Sequence, residues 1–227
     1  MRQRLFGAIA LTTLISLAIS EKVHAVGITL DRATDVGEFI GNAGITNTQP
    51  FGTPLTSIAG NLGNGDNIDL YQIYLPSGTF TAAVGSTNLN TQLFLFDSGG
   101  IGVIGNDDDV AIASFDPNIS RTISNAGNYY LGISIAGFEP QSSGGLIFDF
   151  IAADPTTPNG PGAASPLSSW STGPLSPGQE GYTINVSGAQ FVGGSVAAVP
   201  FDFNPTFGVT ILGLWASWKY LKNRKKS

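Results

Sequence analysis

Between Val26 and Val199 the ionisable side chains are mostly acids: fourteen Asp and Glu stand against two bases, Arg32 and Arg121. The acids gather at turn-forming positions. Asp66-Asn67-Ile68-Asp69 makes one group, Asn106-Asp107-Asp108-Asp109 makes another, and Asp97 opens the loop Asp97-Ser98-Gly99-Gly100 between them. Carboxylate, amide and loop-carbonyl oxygens in such clusters suit a hard divalent cation, calcium above all. Asp66, Asp69, Asp97, Asp107, Asp108 and Asp109 are therefore the candidate metal ligands, although their spacing is not that of an EF-hand loop. Asp and Asn also close turns by bonding their own backbone, and that reading stands beside the first.

Other chemistries fall away on composition. The chain has no cysteine, and its one histidine, His24, precedes this stretch, which also contains no lysine. A Cys–His pair, a Ser–His–Asp triad, a Ser–Lys dyad and a His-ligated zinc are thus unavailable there. A carboxylate pair for glycoside hydrolysis needs one acid buried enough to hold its proton. Acids set in Gly- and Asn-rich turns are expected to stay solvated, so the chain reads as non-catalytic. The acidic body repels nucleic acid and attracts cations or basic partners.

The elements that position these turns read as strands. Ile68, Leu70, Ile73 and Leu75 flank Tyr71 and Tyr74; Pro76-Ser77-Gly78 breaks the run, and Phe80, Ala82 and Val84 resume it. Leu93-Phe94-Leu95-Phe96 is apolar on both faces, as a strand covered on two sides must be. Ile119 to Ile123, Tyr129 to Ile135, Leu146 to Ile151 and Tyr182 to Val186 are further strand candidates. Short strands separated by Gly, Asn and Asp turns predict an all-β, antiparallel β-sandwich. With no disulfide to staple it, packing alone must hold it together.

The blocks GDNIDLYQIYLPSGTF, NTQLFLFDSGG, NDDD and SNAGNYYLGISI, within a match that covers roughly Gly60 to Ile135, resemble in their order the bacterial pre-peptidase C-terminal domain. The later YTINVSGAQFV resembles that family's closing strand. The resemblance implies a jelly-roll-like sandwich that serves exported proteins as an accessory module.

The flanks carry their own signals. Arg2 and Arg4, the apolar run Leu5 to Ile19, and Val23-His24-Ala25 form a secretory signal helix over residues 1–25, the substrate of a signal peptidase. Residues 26–59 read as a lead-in, with Gly27 to Leu30 as an edge strand and little else regular. The sandwich is placed at 60–192. It carries a Pro- and Gly-rich insertion at 154–180, set across an edge or end of the sheets, with Trp170 inside it. A linker and motif occupy 193–205. Residues 206–227 combine an apolar transmembrane helix with Lys219, Lys222, Arg224, Lys225 and Lys226, the charge asymmetry of a cytoplasmic end. Motif, helix and basic end together resemble the PEP-CTERM sorting tail, with Pro200-Phe201-Asp202 in the place of Pro-Glu-Pro. That resemblance implies an exosortase-like processing enzyme. The expected location is outside the cell, anchored by this helix or released to the surface or extracellular matrix, with calcium-assisted binding of a polysaccharide or protein as the alternative role. Aromatic residues ranged along one exposed sheet face would favour a sugar ligand.

Overall fold

The computed structural model describes residues 26–29, 36–85, 87–108, 116–149, 155–174 and 178–193. Among them there is no helix. The signal segment, the transmembrane helix and the Pro200-Phe201-Asp202 motif lie outside the described residues.

Ten strands share one hydrogen-bonded sheet that folds over into two layers. In the first layer, β13 (Glu180–Gln190) is central, pairing with β3 (Pro54–Leu62) on one side and β5 (Gly78–Val84) on the other. Outside these lie β1 (Val26–Thr29), parallel to β3, and β8 (Asn118–Ile123), antiparallel to β5. The second layer runs β2 (Gly44–Ile45), β4 (Ile68–Leu75), β9 (Gly127–Ile135), β6 (Thr91–Phe96) and β7 (Gly102–Asn106). The layers join where Gln190, at the end of β13, meets Tyr74 of β4. Gly188 makes that crossing feasible: its φ of 74° sits in a bulge, and any side chain there would run into the Thr79 carbonyl.

Burial follows the layers. In β13, Tyr182, Ile184 and Val186 face the core and their neighbours face water, the alternation of a strand with one wet face. In β6 all six residues are buried. Leu93 and Leu95 join the core between the layers, whereas Phe94 and Phe96 belong to a second cluster on the outer face, with Leu70, Tyr130, Ile147, Phe148 and Leu167.

That second cluster exists because the Pro-rich insertion lies over a sheet face, not at an edge or end as the sequence suggested. A small sheet of β10 (Pro140–Ser142), β11 (Gly145–Leu146) and β12 (Ser169–Trp170) forms there. The Trp170 ring stands edge-on to Phe94 and Phe96, at centroid separations of 5.7 and 6.4 Å, and its indole N–H donates to the Glu38 carbonyl at 2.9 Å. The strand expected from Leu146 shrinks to β11, after which Ile147 and Phe148 turn into the cluster. The lead-in is also more regular than expected. β3 begins at Pro54, so the sandwich starts before residue 60.

Both described ends of the chain emerge at one end of the sandwich. Val26 lies opposite Leu55, Gln190 lies opposite Pro54, and Phe191 N–H donates to Thr53 O.

Candidate functional site

Strand direction sorts the candidate acids to opposite ends. Asp97 closes β6 at the end where the chain enters and leaves, and its carboxylate is spent on the turn: Oδ1 accepts from Gly99 N–H at 2.8 Å and Ile101 N–H at 3.0 Å. It also borders a polar recess of about 230 Å3 with Asn125, Asn128 and Tyr129.

Asp66 sits in the turn from β3 to β4, where its backbone pairs with Gly63. Asp69 points inward and is 2% exposed. Its Oδ2 accepts from the Tyr182 hydroxyl and, at 3.4 Å, from the Tyr71 hydroxyl; the two hydroxyls lie 2.5 Å apart. Asp69 and Tyr71 come from the second layer and Tyr182 from the first, so this polar contact ties the layers together through the core. Burial, reinforced by the carboxylate, pushes both tyrosines above their ordinary pKa. Gly60 opens the space they occupy, since a Cβ there would strike both hydroxyls.

Asp107 and Asp108 follow β7 at the far end, and Asp109 lies outside the described residues. Here the expectation that turn acids stay solvated fails. Burial first, then the charges of Asp108 and Glu139, push the Asp107 carboxyl up to about 6, against a hydrogen bond from Gln92 that lowers it. Glu139 is raised too, by burial and by Asp149. Arg121 is the only Arg or Lys among the described residues. No group of three or more His, Asp or Glu among the described residues is placed to hold a metal.

Sequence reasoning missed one partner of Asp107, Gln92, almost fully buried near the start of β6. The two come close through the β6–β7 pairing that ends at Leu93 and Asn106, which no local spacing reveals.

Fold and site together define an all-β sandwich with polar turns at both ends. No family model matches the chain, and no curated protein matches it. Among solved structures it is similar to the pre-peptidase C-terminal domain of a collagenase from Bacillus anthracis. The identity is 15%, the match covers 58% of this chain and 88% of that one, and the TM-score is 0.33.

Proposed function

We propose that the chain is an exported, non-catalytic β-sandwich protein of jelly-roll-like type. It is carried out of the cytoplasm by residues 1–25 and held at the cell surface, or passed to the extracellular matrix, through its C-terminal tail. One observation carries the reading. The strand that begins at Val26, just past the expected cleavage site, and the strand that leads to the tail flank the start of β3 from its two sides, at Leu55 and Pro54, so both expected processing points attach to the same end of the domain. Cleavage or anchoring there leaves the opposite loops clear. Signal peptidase acts after Ala25, and an exosortase-like enzyme acts at Pro200-Phe201-Asp202, with membrane attachment through 206–227.

The aromatic residues support a scaffold role over a sugar-stacking one. Phe94 and Phe96 line up on the outer face of the second layer, but Phe148 and Trp170 cover them.

Intact-mass measurement of protein from membrane and medium fractions tests the proposal. The expected membrane form begins at Val26 and retains the tail, and a released form ends near Pro200. Recovery of the uncleaved chain from the cytosol overturns it.

A further inference from the structure

At the far end of the sandwich, the inner face of the β6–β7 pair ends in oxygens instead of carbons. Thr91 and Asn106 are both 0% exposed. Asn106 Nδ2 donates to Asn118 O at 2.7 Å, but its Oδ1 is buried with no donor facing it. Thr91 Oγ1 and Asp108 Oδ1 are buried in the same condition.

Register brings two of the three together. Leu93 lies opposite Asn106, the last pair of the ladder. Side chains alternate along a strand, so Thr91, two residues before Leu93, shares the inner face with Asn106. Diagonal neighbours of this kind stand about 7–8 Å apart or somewhat less at Cβ, within reach of side-chain oxygens that converge on one ion. Asp107 and Asp108 follow in the turn past β7, Asp107 beside Gln92, and Asp108 lies two residues beyond Asn106. A buried acceptor without a donor is costly, and three in one corner, one of them a carboxylate, suit a cation better than a hydrogen-bonded core.

We propose that Thr91 Oγ1, Asn106 Oδ1 and Asp108 Oδ1 form a calcium site at the open end of the β6–β7 pair. The ligands are hard oxygens of three kinds, an irregular set that the flexible shell of calcium accepts and the strict octahedron of magnesium does not. With a single carboxylate the site is weak, in the range of about 10−4–10−3 M typical of extracellular modules. Asp66, Asp69 and Asp97 take no part, since the first lies in another turn and the other two already hold hydroxyl or backbone donors. The site is independent of export and processing.

Thermal unfolding of the purified full-length chain in chelator, calcium chloride and magnesium chloride tests it. Calcium raises the midpoint in a saturable way and magnesium does not. Asp108→Asn removes the calcium response, while Asp97→Asn keeps it. Loss of even an outer partner costs a metal site about tenfold, so Thr91→Val raises the calcium Kd, read by calorimetric titration, at least that much. In chelator its midpoint stays at or above that of the parent, because valine replaces an unpaired hydroxyl. If Asp108→Asn does not fold, the Thr91→Val titration decides alone. Equal shifts with both ions, or an unchanged Kd in Thr91→Val, overturn the site.

Discussion

The strand β6 divides two cores that were built in different ways. Its odd positions, Leu93 and Leu95, face the core between the layers, where each strand supplies alternate residues and the opposing layer supplies the lid. Its even positions, Phe94 and Phe96, face a smaller cluster whose lid comes from Ile147, Phe148, Leu167 and Trp170, on a stretch with only two- and three-residue strands. The first core is held by long ladders, the second by side chains that a Pro- and Gly-rich segment drops into place. Cooperative unfolding should belong to the first, and local opening to the second.

Paired substitutions break or sharpen that contrast. Leu95→Ala, in the core between the layers, is expected to cost about 2–5 kcal/mol and to lower the single melting midpoint. Trp170→Ala should cost somewhat less, about 2–4 kcal/mol, below the about 3–5 of a fully enclosed Trp, because its side chain is only partly buried. Its signature is hydrogen exchange: amides of 140–170 should lose protection while those of β13 keep theirs. Equal loss in both regions would make the two cores one unit.

A smaller effect probes the polar tie within the first core. Tyr182→Phe removes a hydroxyl from Asp69 Oδ2 and should cost about 1–3 kcal/mol, the penalty for a buried acceptor losing its donor. A chemical-denaturation curve unchanged from the parent would show that Tyr71 alone satisfies the carboxylate.

The smallest effect is a pH dependence at the acidic end. Asp107 binds its proton more tightly in the folded state, with its pKa moved from 3.8 to about 6. Its contribution to stability is therefore present below pH 4 and is lost as pH rises through about 6. Asp108, Glu139 and Gln92 are the groups that face it, and Glu139, shifted the same way, adds to the trend. Melting in chelator from pH 4 to 7 should fall in the parent and flatten in Asp107→Asn. A slope that survives the substitution assigns it to other acids.

The first core was largely legible in the sequence and the second was not. Period-two alternation exposes β4, β5, β9 and β13, and the apolar block at 93–96 announces a doubly covered strand. The covering side chains Phe148 and Trp170 have no periodicity to betray them. β3 hides for a different reason. Its buried residues Leu55, Ile58 and Leu62 are three and four apart, because the paired strand β13 bulges opposite them, and its small Gly60 makes room for two tyrosine hydroxyls. Among the acids, the run at 107–109 was visible, but the approach of Gln92 to Asp107 depends on a cross-strand pairing set outside that run.

Because Val26 and Gln190 emerge at the same end, on either side of the start of β3, whatever holds the protein by that end sets a distance. A nine-residue strand such as β9 spans about 30 Å at roughly 3.3 Å per residue. The Debye length in physiological salt is about 8 Å, so the far loops of a membrane-tethered chain stand more than three screening lengths from the lipid headgroups. An anionic bilayer would neither enrich calcium at Asp108 nor repel the acids around it. Occupancy there would follow the concentration of the surrounding medium, so the far end of a chain tethered in this way would report the solution around it and not the surface.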